Sequence, residues 1–530
     1  MSFDWIVLVP PLIVLTSAAL TRRVIASLLA GIASAAAIHT YNTGASLLTY
    51  LFGLCANTVS APANIKLFAF LAVLGTVIEL MTRSGGVAAY TAFVQKFVSS
   101  KRQVENSSLG VSCVFFLDDY LNSMTTGAIM RPLTDAFAIP RVKLAYLINS
   151  MASPLCPLIP LSSWAATIIL YLQTGGIADF VKPGTLIQAD PFIIYLTSIP
   201  FIFYAIFSIL GAFLVVNFRL SFGPMKRQEC IADESGNLFG GKQAPSTRSA
   251  TPREGSLADF FVPIGSFILS ALFFLLYTGN SILLGGNHGF VNTLRTADTM
   301  FSLLGASLFT LLTISVMSAR AGTFSLRNTT TSCVEGLLLM KGAFAILFLS
   351  FAFGSMINND LHSGAYLASL ISRSLPLAIL PLTIFLLATI TTASTGSSWG
   401  TMAILIPLTI TTLAGLATGA TPVAASAVPL LFPSLGALIA GSVAGAHLSP
   451  ITEATVVSAM GAGAYHLDHV KTMVAYALPT LLGASTSFLL IGMTHTLGGI
   501  TSYAIALLAG IITMGAILFI RSAWAKNKKL

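Results

Sequence analysis

The sequence predicts an all-α polytopic membrane protein with roughly 11–13 transmembrane helices, several of them discontinuous or folded as hairpins. Three observations carry this. Only 8% of the 530 residues are charged and 55% are hydrophobic, against roughly 25% charged in a soluble domain, and mean hydropathy reaches +0.86. Apolar runs long enough to cross ~30 Å of hydrocarbon recur along the chain. The two halves of the chain also resemble each other around clusters of small polar residues. A soluble multidomain fold has too little polar surface at this composition. Disorder is excluded by the same figures, and a disulfide scaffold by five cysteines without paired spacing. The net charge of +9 reads as Lys and Arg on cytoplasmic loops rather than a nucleic-acid surface, because no basic stripe with interleaved aromatics lies outside the apolar runs.

Clear spans are predicted at 5–21, 24–40, 65–82, 107–130, 191–217, 258–277, 298–318, 336–357, 375–394, 428–446, 470–493 and 499–520, with softer stretches at 43–60, 143–172 and 401–418. Met1 to Asp4 lacks the basic start of a signal peptide, so Trp5 to Leu20 reads as a retained first span. Residues 219–256 are polar, with six basic and four acidic side chains, and read as a linker. The expected organisation is a first transmembrane half at 1–218, the linker, and a second half at 257–530. Arg22-Arg23, Lys96, Lys101, Arg102 and the terminal Arg521, Lys526, Lys528 and Lys529 place the C-terminus in the cytoplasm and the N-terminus outside.

The duplication is visible without gaps. Leu67 to Tyr90 matches Ile346 to Ser369, pairing Gly75 with Gly354 and Gly85 with Gly364. Asp118 to Leu133 (DDYLNSMTTGAIMRPL) matches Ala393 to Leu408 (ASTGSSWGTMAILIPL), pairing Asp119 with Ser394, Asn122 with Ser397, Ser123 with Ser398, Thr126 with Thr401 and Pro132 with Pro407. Such duplication marks many secondary transporters, whose site lies at the repeat interface on broken helices.

An ionisable residue inside a span costs about 2.5–3.5 kcal/mol or more, so it is a functional candidate by default. Asp118 and Asp119 are followed by Asn122, Ser123 and Thr126. On an intact helix the two carboxylates point ~100° apart and serve one ion only where the helix is unwound, so a helix break is expected across Asp118–Gly127. A second break is expected at Ser394–Thr401, in contact with the first. Carboxylate, amide and hydroxyl oxygens suit a hard cation, and burial beside a like charge raises a carboxyl pKa so that it can hold either H⁺ or Na⁺. An Asp pair capping a helix end and facing water is the competing reading. A second cluster contains His447, Ser449, Pro450 and Glu453; His447 is either a proton carrier or a hydrogen-bonded structural residue. A third contains Asn149 and the prolines 154, 157 and 160, which argue against a continuous helix. Glu79 is expected to pair with Arg83, Asp135 and Arg141 to lie in a loop, and His466 and His469 to be too few for a metal site.

LDDYLNSMTTGAIMRPLTD, RVKLAYLINSMASPLCPLIPLSSW, TGSSWGTMAILIP, AGAHLSPITEAT and HLDHVKTMVAYALP together resemble the motifs of the NhaC-type sodium/proton antiporter family, across about Leu67 to Leu490. The resemblance implies an inverted-repeat helical fold with re-entrant hairpins, sodium or organic-ion transport, and a bacterial cytoplasmic (inner) membrane. It implies functional weight for Asp118, Asp119, Asn122, Ser398, Trp399, Ser449 and Pro450. The chain departs from the family pattern at Asn149 and Ala446, where the pattern has Asp, and at Thr452-Glu453-Ala454, where it has Ser-Asp-Thr.

The expected function is Na⁺/H⁺ exchange by alternating access. The alternative is an H⁺- or Na⁺-coupled amino-acid or organic-acid transporter on the same fold. The candidate cation and proton site comprises Asp118, Asp119, Asn122, Ser123, Thr126, Asn149, Ser394, Ser397, Ser398, Trp399, His447, Ser449, Pro450 and Glu453, with Asp118, Asp119, Asn122 and Ser398 as Na⁺ ligands. The expected partners are Na⁺ and H⁺ (or a small organic ion) and the lipid bilayer, with no nucleic acid and no cofactor. The sequence leaves a homodimer open. An enzyme is not expected: an intramembrane aspartyl protease needs its two Asp on separate helices, and here the pair is adjacent.

Overall fold

A chain in lipid must satisfy its backbone polar groups internally, so apolar runs become helices and breaks occur only where other protein groups bond the freed carbonyls and amides. The computed structural model describes residues 4–21, 24–94, 96, 99–116, 119–160, 162–179, 184–244, 255–320, 326–361, 376–417 and 422–527. Asp118, Gly364, Arg22, Arg23, Lys528 and Lys529 lie outside the described residues.

The first half contains α1 (Val9–Thr21), α2 (Val24–Thr43), α3 (Leu47–Ser60), α4 (Pro62–Arg83), α5 (Gly86–Val94), α6 (Lys101–Val114), α7 (Asp119–Ala136), α8 (Arg141–Leu158), α9 (Ser163–Thr174), α10 (Pro191–Ser198) and α11 (Phe203–Asn217). A polar helix, α12 (Gly223–Ser235), forms inside the linker. The second half contains α13 (Ala258–Thr278), α14 (Phe290–Thr296), α15 (Thr299–Arg320), α16 (Leu326–Ser355), α17 (Leu380–Thr395), α18 (Ser398–Leu416), α19 (Leu431–Leu448), α20 (Glu453–Ala462), α21 (His466–Met493) and α22 (Gly499–Asn527). Among the described residues eight helices are long and apolar enough to cross a membrane, and the α10–α11 pair, bent by 45°, makes a ninth. The expected span at 107–130 folds instead as the pair α6–α7, and the softer stretch at 143–172 is the broken pair α8–α9, with oxygen-bearing side chains bonding the backbone at both breaks.

Direction follows from contacts to the linker. Lys101 at the start of α6 pairs with Asp233 of α12 and donates to the Ala138 carbonyl just past α7. The two helices therefore enter and leave on the linker side as a hairpin. α8 starts on that side, where Lys143 pairs with Glu229 of α12, and α9 continues to the far side. α21 also starts on the linker side, at the Lys242–Asp468 pair, and its end at Gly492 meets Ala378 at the start of α17. The α17–α18 hairpin thus enters from the far side, and α19–α20 crosses from the far side to the linker side, where Arg141 binds the Ala462 carbonyl at 3.0 Å. Each half contributes one hairpin and one broken span, in opposite orientations. On the far side a three-stranded parallel sheet, β1 (Ile177–Ala178), β2 (Ile187–Gln188) and β3 (Val423–Ala424), ties the exit of α9 to the exit of α18.

Small residues set the close helix contacts, as expected where lipid and side chains are equally apolar. Gly441 and Gly445, one turn apart on α19, lie against the α17 backbone at Phe385 and Thr389. Gly127 of α7 and Gly461 of α20 cross backbone to backbone. α22 buries Ser502, Ala506, Gly510, Met514, Leu518 and Ser522 on one face and turns Leu508, Ile512 and Ile520 outward.

Two apolar clusters dominate. One gathers α8–α11, α17–α19, α21 and α22, including Trp164, Tyr204 and Phe385. The other gathers α1–α4, α13, α15 and α16, and takes in Tyr120 of α7 with Ile451 and Val456 of the α20 region.

Candidate functional site

Four helix breaks converge. In the first hairpin the chain turns at Phe115-Phe116 and α7 opens at Asp119. The arms are held by the Asn122 amide donating to the Ser112 carbonyl at 2.7 Å and by a hydroxyl contact between Ser112 and Thr126 at 3.3 Å. In the second hairpin Thr392 donates to Thr401 at 2.9 Å. Gly396 makes the turn at φ 73°, and Ser397 caps α18 through the Gly400 amide at 3.0 Å.

The two broken spans are built alike. Ser162 donates to the Cys156 carbonyl at the end of α8 at 2.5 Å and caps the Ala165 amide of α9 at 3.2 Å. Thr452 donates to the Ala446 carbonyl at the end of α19 at 2.7 Å, and Thr455 to the same oxygen at 2.8 Å. Both spans have an 18-residue first helix followed by a four-residue break. The second-half breaks also touch each other: Ser449 donates to the Ala393 carbonyl at 2.8 Å and Ser398 to the Ser442 carbonyl at 3.1 Å.

One cavity lies where the breaks meet. Asp119 and Tyr120 reach it from the first hairpin and Trp164 from the first broken span. Gly396, Ser398 and Trp399 come from the second hairpin, and Ala446, Thr452, Glu453 and Ala454 from the second broken span. Trp164 and Trp399 meet at 4.6 Å between ring centres. Asp119 and Glu453 are the ionisable side chains among the lining residues. Each stands in the first turn of its helix, where the partial positive charge of the N-terminus favours a carboxylate. The C-terminal ends of α6, α8, α17 and α19 point at the same region and present neutral carbonyl oxygens.

The Na+/H+ antiporter family model matches residues 155–493, well over half of the sequence. The chain belongs to the Na⁺/H⁺ antiporter family. It is 30% identical to an uncharacterized protein of Haemophilus influenzae over 514 residues, covering 96% of this chain and 95% of that one. Among solved structures it is similar to the Alcanivorax borkumensis YdaH transporter, at 14% identity and a TM-score of 0.35, covering 85% of this chain and 89% of that one. It is also similar to Neisseria gonorrhoeae MtrF, described as an antimetabolite efflux pump, at 12% identity and a TM-score of 0.30, covering 88% and 83%. The family is one of transporters, not enzymes, and its setting is a multi-pass membrane protein.

Around this cavity the sequence-predicted residues separate into groups. Asp119, Ser398, Trp399 and Glu453 line the cavity. Asn122, Ser123 and Thr126 lie behind it: Ser123 meets Ser458 of α20 at 3.2 Å, and Asn122 and Thr126 lock the first hairpin. Ser394 bonds the Ile390 carbonyl within its own helix, and Ser397 and Ser449 hold the breaks. The Pro450 carbonyl accepts from His466 at 2.7 Å. Asn149 and His447 belong to a separate buried cluster, with His469 and Tyr204 respectively.

Two expectations need correction. The helix is not unwound across Asp119–Gly127, since α7 is continuous from Asp119, and Asp118 lies outside the described residues. The helix starts differ between the hairpins, Asp119 being the first residue of α7 and Ser398 of α18, while Thr126 and Thr401, which the gapless match pairs, each bond across their own hairpin. The prolines do not stop α8, which runs through Pro154 and Pro157 to Leu158. Pro154 cannot donate to the Ser150 carbonyl, and the Ser208 hydroxyl of α11 does so instead at 3.1 Å. Asp135 and Arg141 sit at the ends of α7 and α8 and pair at 2.6 Å. Glu79 pairs with Arg83 at 2.8 Å, as its spacing predicts. Among the described residues no group of three or more His, Cys, Asp or Glu is arranged to hold a metal ion.

Sequence reasoning did not single out Tyr120 or Gly396. The Gly396 signal was present, since a glycine ahead of Ser-Ser is a helix-stop signal followed by a helix cap.

Proposed function

We propose that this protein exchanges Na⁺ for H⁺ by alternating access, with Asp119 and Glu453 as the carboxylates that the two ions share. The observation that carries this reading is that carboxylates from the two halves reach one cavity bounded by four helix breaks. Two carboxylates in a water-poor site repel each other, so the site favours neutralisation by protons or by a cation. Hydroxyls of Ser398 and Thr452 and nearby carbonyl ends supply neutral oxygens of the kind a hard cation prefers. Occupancy by H⁺ excludes Na⁺ and the reverse, which is the requirement for antiport. The cavity lies on the seam between the two apolar clusters, with Trp164 on one side and Tyr120 and Ile451 on the other. Movement along that seam exposes the site to each face in turn. The bacterial cytoplasmic membrane, with Arg521 and Lys526 on its inner face, completes this reading.

A second reading has its own observation. The N-termini of α9 and α18 carry no acid in their first turns, and Trp164 and Trp399 stand beside them. These features suit a small organic acid or amino acid coupled to H⁺ or Na⁺.

Purified protein in lipid vesicles, with Na⁺ and H⁺ gradients imposed separately, tests both. Antiport predicts that an outward H⁺ gradient drives Na⁺ uptake and that an outward Na⁺ gradient acidifies the lumen. Sodium-independent uptake from a panel of amino acids and dicarboxylates overturns the first reading in favour of the second.

A further inference from the structure

A second polar cluster lies between the linker-side surface and the cavity, and the mechanism above does not use it. His466 opens α21, His469 lies one turn along it, His447 sits in the last turn of α19, and Asn149 is midway along α8. His447, His469 and Asn149 are fully buried. The Nε2 of His466 lies 2.7 Å from the Pro450 carbonyl. A carbonyl only accepts, so this nitrogen carries the proton and Nδ1 is a bare acceptor, which closes no hydrogen bond. The Asn149 Nδ2 lies 3.2 Å from the His469 Nε2. An amide nitrogen only donates, so His469 Nε2 accepts and its Nδ1 carries the ring proton, and neither that Nδ1 nor Asn149 Oδ1 closes a hydrogen bond. His447 meets the Tyr204 hydroxyl at 3.0 Å through Nδ1, and the other side of its ring faces the Asn149 backbone. The His447 ring lies beside the Asn149 backbone and within electrostatic reach of His469.

Buried polar atoms are nearly always hydrogen-bonded, so three open ones on neighbouring residues, Asn149 Oδ1, His466 Nδ1 and His469 Nδ1, mark a place built for something that moves through it. We propose that His466, His469 and His447, with Asn149, form the proton path from the linker-side surface to the α19–α20 break. The inference rests on the reading that H⁺ is one of the exchanged ions. The outer end of the path is the start of α21, where Tyr465 donates to the Gln243 carbonyl at 2.7 Å and Asp468 pairs with half-exposed Lys242. The inner end is Pro450, three residues before Glu453. A neutral imidazole accepts a proton on its bare nitrogen and releases the one on the other, ending neutral in the opposite tautomer, and a second tautomer exchange resets it. The proton released at the inner end enters the α19–α20 break, beside which Glu453 lines the cavity, and no net charge stays among the rings.

The other titratable groups around the cluster are accounted for. On α7, α8 and α11 these are Arg131, Arg141, Lys143, Tyr146 and Tyr204; Lys143 is paired with Glu229 of α12, Arg141 with Asp135, and Arg131 stands with Arg141 beside Gly463. On α21 Asp468 is paired, Tyr476 hydrogen-bonds the backbone of Phe222, and Lys471 is exposed. On α22 Arg521 lies over the Phe222 ring. α17 has no titratable side chain, and α20 contributes Glu453.

The test uses the full-length protein in vesicles with isotopically labelled Na⁺. Gln at either position keeps an amide where the bonded ring nitrogen stood and removes the open one, so His466→Gln, His469→Gln and the double variant are compared with the unaltered chain. Two rates are read: Na⁺ uptake driven by an outward H⁺ gradient, and Na⁺–Na⁺ exchange at equal pH, which needs no proton. The proposal expects the double variant to lose at least tenfold of the proton-driven rate, with an altered pH profile, while Na⁺–Na⁺ exchange stays within twofold. Either single variant, if the double is not monodisperse in detergent, should show the same split. Equal loss of both rates means that the histidines are structural and overturns the proposal, as does an unchanged proton-driven rate. An unaltered chain that exchanges Na⁺ but ignores the H⁺ gradient overturns the antiport reading itself, and this proposal with it.

Discussion

Asp119 is only 8% exposed, stands at the N-terminus of α7, and faces a cavity that Glu453 enters from the other half. Asp119→Asn keeps the shape and one carbonyl oxygen but cannot exchange a proton for a cation. Coupled Na⁺/H⁺ exchange should fall to background in vesicles while yield and thermal unfolding are unchanged or improved, since an amide is cheaper to bury than a carboxylate. Glu453→Gln should have the same outcome. Near-normal exchange by either variant removes that residue from the shared site. Near-normal exchange by both sends the search to Asp118. The sequence marked both carboxylates through their cost in lipid, but not that they share a cavity, because they lie more than three hundred residues apart.

At the scale of the elements, the site depends on how helix ends are closed without water. Gly396 needs its left-handed backbone at φ 73°, and a Cβ there would meet Ile451 at 3.0–3.1 Å. Gly396→Ala should cost about 1–3 kcal/mol and displace the two second-half breaks from each other. A lowered unfolding temperature together with lost transport is the expected result, and an unchanged temperature counts against the turn. Thr452→Val keeps the volume and removes one of the two hydroxyls on the Ala446 carbonyl, with an expected loss of about 1–3 kcal/mol, less where Thr455 holds that oxygen alone. Ser162→Ala at the equivalent place in the first half should lose a similar amount, read by the same unfolding measurement. Paired losses would show that the two breaks are closed by the same device.

Across the whole molecule, the linker-side ends of α6, α8, α11 and α12 are joined by a buried charge network. Lys143 meets Glu105 at 2.8 Å and also pairs with Glu229, and Arg219 binds Glu105 at 3.0 and 3.1 Å. The Lys143 and Glu105 side chains are 3% and 1% exposed. Removing one member of a buried network leaves its partner's charge uncompensated, so Lys143→Met should destabilise by about 3–5 kcal/mol. Adding Glu105→Gln should recover part of that loss. A thermal-unfolding series of the two single variants and the double variant checks this, and additive losses would show that the two residues do not act as a pair. The network lies away from the cavity lining, so Na⁺–Na⁺ exchange by the folded fraction of Lys143→Met should be retained.

Composition and the spacing of apolar runs determined by themselves that this is an all-helical membrane protein, because lipid permits so few ways of satisfying a backbone. Motif content determined the family, and the cost of a buried carboxylate marked Asp119 and Glu453. Tertiary structure alone decided where the helices stop. The runs at 107–130 and 143–172 are apolar enough to span. They break where Asn122 and Ser162 bond backbone oxygens at the ends of α6 and α8. His466 and His469 were set aside as too few for a metal. What they share with Asn149 and His447 became visible only when three helices distant in sequence were brought together, because an open hydrogen-bonding atom is a property of surroundings and not of residue type.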